Sequence, residues 1–134
     1  MSVGVIIAVA VAGAIGALLR YGVSLAFAAA DARHRPPKHL RFPRAVLVVN
    51  VVGSAVSGSL LALAEQTGVS ADLLLVLVTG LCGGLTTFST WSVETMQLVI
   101  EGRMRAAFAS VWLNLVLGLA AATLCYFAVL SVIR

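Results

Sequence analysis

The sequence predicts an all-α integral membrane protein of four transmembrane helices, and three observations carry that prediction. The first is composition: 61% of the 134 residues are apolar and only 10% are charged. With a mean hydropathy of +1.09, this lies far outside soluble-domain usage. The second is that the apolar residues fall into four runs, each able to supply the roughly 20 residues a helix needs to span hydrocarbon. The third is that most of the charged residues and all the prolines gather between or beside these runs. With their connectors, four spans use residues 1–134 as a single transmembrane domain and leave no room for a soluble one.

The first run, residues 3–30, ends in Phe27-Ala28-Ala29-Ala30-Asp31, a pattern that imitates a signal-peptidase site. No basic segment precedes it and Arg20 interrupts the apolar stretch, so an uncleaved first helix is expected. Residues 31–44 form the first loop, because Arg33, Arg35, Lys38, Arg41 and Arg44 with Pro36, Pro37 and Pro43 cannot continue a helix in lipid. The second helix is expected over residues 45–64, a short loop over 65–72, the third helix over 73–100 and the fourth over 106–133. Cys82 and Cys125 both sit inside apolar runs and read as small core residues rather than as a disulfide or zinc ligands.

Charge placement gives an expected topology, since loops kept in the cytoplasm carry the excess of Lys and Arg. Loop 1 holds five such residues and loop 3 adds Arg103 and Arg105, seven in all, against none in loop 2 and Arg134 alone in the tails. Both termini are therefore expected outside a plasma membrane, with loops 1 and 3 cytoplasmic and touching anionic lipid head groups of the bilayer. No nucleic-acid partner is expected.

The chemistry should lie where polar or conformationally loose residues occur at membrane depth, because these need protein or water beside them. The third helix carries the strongest such run, Gly80-Leu81-Cys82-Gly83-Gly84-Leu85-Thr86-Thr87-Phe88-Ser89-Thr90-Trp91-Ser92, in which a glycine pair meets five hydroxyls and two aromatic rings. Adjacent glycines permit helix-breaking angles, so the break is expected at Gly83-Gly84, with freed carbonyls that seek a partner such as a hard cation. The competing reading takes Gly80 and Gly84, spaced as GxxxG, as a close helix contact. In the second helix Asn50, Gly53, Ser54, Ser57 and Gly58 share one face. Its small residues read as packing, whereas Asn50 is either interhelical glue or an ion contact. Ser110, Asn114 and Gly118 repeat the pattern in the fourth helix, and Gly13, Gly16, Ala17, Arg20 and Ser24 in the first. Glu94, one turn beyond Thr90 on the same face, either binds a cation or proton or snorkels toward the helix end. Arg20 either draws anions to a pore mouth or snorkels to the interface. No paired carboxylate, nucleophile with base, or phosphate loop suggests an enzyme, and transport of something small is the natural reading.

Three segments together resemble the CrcB/Fluc family of fluoride channels: Gly13-Ala14-Ile15-Gly16-Ala17-Leu18-Leu19-Arg20-Tyr21, Val49-Asn50-Val51-Val52-Gly53-Ser54 with Gly58, and Gly80 to Trp91 with its TTFST core. The resemblance implies an antiparallel dimer with two narrow pores, each lined by both subunits and passing fluoride without its water shell. It implies that Asn50 and the edge of Phe88 meet the ion, with Ser89 and Thr90 as a polar track and Trp91, Glu94 and Asn114 also along the pore. Arg20 would stand in the vestibule. The main-chain carbonyls of Gly83 and Thr86 would hold a structural Na+ at the dimer centre that is not transported.

The chain also departs from the family pattern. Trp91 stands where a second pore phenylalanine is more usual, though its edge still offers an N–H donor. Asn114 falls at a serine position and Ser110 where a tyrosine is more usual. These departures bear on whether both pores conduct. The one-sided charge further suggests insertion in a single orientation and pairing with a paralogous subunit of opposite orientation. A rival reading, a small multidrug-type exporter, needs a carboxylate in the first helix, where only Asp31 at its end qualifies. A membrane scaffold would leave the polar run of the third helix without a purpose.

Overall fold

The computed structural model describes residues 2–33 and 42–133. Arg35, Pro36, Pro37, Lys38, Arg41 and Arg134, which enter the charge and loop expectations, lie outside the described residues. Helix α1 covers Val3–Ala32 and α2 covers Arg44–Thr67. The third span runs from Ala71 to Ile100 in pieces: α3 (Ala71–Leu75), a π-helical stretch (Val76–Cys82), α4 (Gly83–Leu85) and α5 (Phe88–Ile100). Helix α6 covers Met104–Ile133. All four spans are long and apolar enough to cross a membrane, so the chain is a multi-pass membrane protein.

The helix ends follow local chemistry. Ser2 Oγ accepts from the Val5 N–H at 3.4 Å and Ser70 Oγ from the Leu73 N–H at 3.3 Å, each taking up one donor that a helix start leaves unpaired. Pro43, whose ring cannot continue a helix backwards, immediately precedes α2. The turns after α2 and α5 close through Gly68 and Gly102, at φ 68° and 72°, angles that only glycine adopts without strain. At the opposite end from Gly68, Arg44 donates to Asp31 Oδ1 at 2.6 Å and lies over the Phe27 ring, tying the end of α1 to the start of α2.

Packing pairs the spans in two parallel couples. Helices α2 and α6 run side by side with a constant offset of 64 residues: Asn50 meets Asn114, Ser54 meets Gly118 and Gly58 meets Ala122. A Cβ on Gly58 would land on the Ala122 main chain, so the two backbones approach more closely than any side chain permits. Helix α1 runs beside the first half of the third span in the same manner. There Gly13 and Gly16 face Gly80, Leu81, Gly84 and Leu85 with main chain against main chain. Small residues serve this purpose in lipid, where apolar side chains gain nothing by leaving their solvent and helices associate through close packing and hydrogen bonds.

The third span is interrupted, as the sequence implies, but not at the glycines. Gly83 and Gly84 are both helical, Gly83 having φ −63° and ψ −37°. The residues outside the helix are Thr86 (ψ 157°) and Thr87 (φ −150°, ψ 122°). The chain breaks where a threonine can cap the next helix and a neighbouring asparagine can pair the freed main-chain N–H. Gly84 instead supplies the absence of a Cβ against Gly13, the close-packing role that the GxxxG spacing suggested.

Candidate functional site

The break at Thr86-Thr87 is the centre of the site. Thr87 caps α5, its Oγ1 accepting from the Thr90 N–H at 3.2 Å. The same hydroxyl lies 3.1 Å from Thr90 Oγ1 and 3.3 Å from Ser89 Oγ, so Ser89 and Thr90 form the first turn of α5 around one buried threonine. Breaking a helix leaves main-chain groups that lipid cannot satisfy. Asn50 of α2 takes up the freed N–H of Thr87, its Oδ1 accepting at 2.8 Å, while its Nδ2 donates to the Thr87 carbonyl at 3.3 Å. Asn50 Nδ2 also donates to Asn114 Oδ1 of α6 at 2.9 Å, and Asn114 Nδ2 donates to the Ser110 carbonyl at 3.0 Å. Asn50 thus bonds two other spans.

Around this network the polar face continues. Ser110, with none of its surface exposed, has its hydroxyl 2.9 Å from Thr95 Oγ1. Trp91 Nε1 donates to the Ser110 carbonyl at 3.4 Å, so the N–H expected to remain on offer at this ring edge is engaged. The Trp91 and Phe88 rings lie 5.2 Å apart, centroid to centroid, tilted by 56°. Phe88 is 76% exposed. Asn50, Ser54, Thr86, Thr87, Phe88 and Trp91 line one groove of about 270 Å³. Glu94 lies one turn past Thr90 on α5, half-buried, with Oε2 enclosed and lacking a hydrogen-bond partner.

A second groove, of about 320 Å³, runs between α2 and the third span and is lined by Gly53, Ser54, Ser57, Gly58, Cys82, Gly83 and Thr86 among others. Gly83 is exposed here, and a Cβ on it would meet nothing nearer than the Val78 carbonyl at 3.8 Å. The carbonyls that close a helix such as α4 have no partner within it, and the extended Thr86 turns its own out of the helical direction. Main-chain oxygens at Gly83 and Thr86 are the donor type a hard cation takes, and so fit one. Arg20 stands on the other side of the break, where its Nε donates to the Gly84 carbonyl at 3.3 Å.

The structure therefore brings Asn50, Phe88, Trp91 and Asn114 together at the break, with Ser89 and Thr90 on the adjoining turn. It puts Gly83 with Thr86 in the neighbouring groove and Arg20 apart from both. Sequence reasoning missed Thr87 as the hub and Ser110 as the acceptor shared by Trp91 and Asn114. The spacing of Thr87 to Thr90, a hydroxyl three residues before the helical N–H it caps, was the available signal for the first. None existed for the second.

The sequence of this chain is similar to those of known proteins. Residues 7–126 match the family model described as CrcB-like protein, Camphor Resistance (CrcB). A fluoride-specific ion channel FluC of Renibacterium salmoninarum is 40% identical over 120 residues, covering 90% of this chain and 94% of the relative. The FluC of Idiomarina loihiensis is 42% identical over 113 residues, 84% of this chain and 82% of its own. FluC 1 of Yersinia pseudotuberculosis is 38% identical over 125 residues, 92% of each chain.

Proposed function

The chain belongs to the CrcB-like family, and from that premise we propose that it is a subunit of a fluoride-specific channel that lets toxic fluoride leave the cytoplasm by passive permeation. The observation that carries the reading is the groove at the helix break, where the Asn50 carboxamide and the Phe88 ring line one surface. Fluoride is small, strongly hydrated and an acceptor only, so a selective path must replace its water with donors and positive ring edges. Phe88 offers such an edge, Ser89 and Thr90 offer hydroxyls along the first turn of α5, and Arg20, which lies apart from this groove, would supply positive charge in a vestibule leading to it. Trp91, Glu94 and Asn114 complete the wall.

Within one subunit Phe88 faces outward and nothing opposes it. This supports a pore completed by a second subunit, antiparallel to the first so that two equivalent grooves form. The Gly83 and Thr86 carbonyls of each subunit would then hold a sodium ion between them, which braces the two broken helices and is not transported. The one-sided placement of arginine and lysine favours a paralogous partner of opposite orientation over a second copy inserted the other way. The exporter reading loses support from Asp31, the only carboxylate of α1, which is paired with Arg44.

Fluoride efflux from liposomes, measured with chloride as control and with sodium present or replaced, tests the reading. The chain is reconstituted alone and with a paralogue of opposite charge bias. Expected is fast, fluoride-selective, sodium-dependent efflux that requires the partner. Efflux from the chain alone would remove the paired-subunit element, and no fluoride flux in any condition would return the exporter and scaffold readings to the front.

A further inference from the structure

Thr87, Asn50, Asn114 and Ser110 form one directed chain of hydrogen bonds. It starts at a group that can only donate, the Thr87 main-chain N–H, which gives its proton to Asn50 Oδ1 at 2.8 Å. It ends at a group that can only accept, the Ser110 carbonyl, which takes a proton from Asn114 Nδ2 at 3.0 Å. Between these ends only one orientation of each carboxamide is consistent, with the Asn50 nitrogen and the Asn114 oxygen meeting at 2.9 Å. Turning either one over would set donor against donor or acceptor against acceptor.

Asn50 Nδ2 carries two protons. One goes to the Thr87 carbonyl at 3.3 Å and the other to Asn114. Both are therefore committed within the subunit, and an ion that is an acceptor only can use Asn50 only by taking one of them. The bond to the Thr87 carbonyl is one of two that the same carboxamide makes to Thr87, the other pairing the main-chain N–H that the helix break leaves free, so the two hold Asn50 against the break together. The bond to Asn114 is a single contact between two half-buried side chains and can open without disturbing any backbone.

We propose that Asn114 is a positioning residue that latches Asn50: its carboxamide oxygen holds the amide proton a desolvated anion needs, and the anion binds Asn50 by displacing it. The identity of that anion rests on the fluoride-channel reading; the latch does not. It deepens the expectation that Asn114 lines the pore, because it makes this side chain a competitor of the ion for Asn50 and not a further ligand.

The test uses full-length protein labelled with 15N, as wild type, Asn114→Ala and Asn114→Asp, with Asn114→Ser prepared in case alanine prevents folding. Asn50→Ala identifies the Asn50 side-chain amide resonances by their loss. In wild type both Asn50 amide protons exchange slowly with water. In Asn114→Ala, or in the serine variant, one proton exchanges at least about ten-fold faster and shifts with sodium fluoride at lower concentrations than in wild type, while sodium chloride has no effect. Fluoride efflux, measured with the paralogous partner co-reconstituted, rises about two- to ten-fold, the range expected when one competing neutral hydrogen bond is removed. In Asn114→Asp a carboxylate holds the proton harder and repels the anion, so efflux falls. Unchanged Asn50 exchange on removal of the Asn114 side chain would overturn the latch whatever the ion. Faster exchange with efflux abolished would also overturn it, making Asn114 a ligand. Faster exchange in the variant, with no response to fluoride in any of the proteins, would uphold the latch and retire fluoride as the ion.

Discussion

Phe88 is large, apolar and 76% exposed on the surface of the chain, in contact with the Trp91 ring at 5.2 Å between centroids. A side chain that buries so little in its own subunit contributes little to that subunit's packing, whereas in the proposed pore its ring edge faces the ion. Phe88→Ala is therefore expected to leave the thermal unfolding midpoint in detergent within a few degrees of wild type while lowering fluoride efflux at least about ten-fold, the loss of roughly one good transition-site contact. A large drop in the midpoint with efflux retained would make Phe88 a packing residue. Asn50 is the contrast at the same scale: it was legible as a polar group at membrane depth, but its partners were not. A carboxamide on a helix announces that it needs hydrogen bonds and not with whom. Trp91 carries the same lesson, since its N–H looks available in the sequence and is engaged by the Ser110 carbonyl 19 residues away.

Adjacent glycines on one element do different work. Gly84 lies against the Gly13 main chain, and a Cβ there would overlap the Gly13 carbonyl with no flexible side chain to yield. Gly83 has open space, its nearest neighbour being the Val78 carbonyl at 3.8 Å. Gly84→Ala is expected to collapse the yield of monodisperse protein on size exclusion, whereas Gly83→Ala is expected to elute as wild type and to keep its carbonyl for a cation. Equal tolerance at the two positions would contradict the close packing of α1 on the third span. That the third span is broken could be read from its run of glycines and hydroxyls. The position of the break could not, because helix termination was decided by Thr87 capping α5 and by Asn50 supplying a partner for the freed Thr87 N–H. Each hydrogen bond between spans contributes only about 0.6 to 2 kcal/mol in lipid, so several at one point are needed to hold an interrupted helix.

At the scale of the molecule, parallel packing of α1 with the third span puts Arg33, Arg44, Arg103 and Arg105 at one end and Glu65 and Asp72 at the other. Basic residues resist translocation, so reporter fusions at the C-terminus are expected to give an active periplasmic-type phosphatase and a dark cytoplasmic-type fluorescent protein, in essentially all molecules. Equal signals from both fusions would indicate dual insertion and favour a dimer of identical chains. By itself the sequence determined the membrane class, the number of spans, the one-sided placement of charge and the depth of the polar residues. These follow from run lengths and charge counts that add along the chain without regard to what lies beside it. Only the tertiary structure decided where the third helix breaks, which glycines are indispensable and which protons Asn50 has left to give. Those depend on groups 37 and 64 residues distant in sequence, and a hydrogen bond or a backbone contact exists only between neighbours in space.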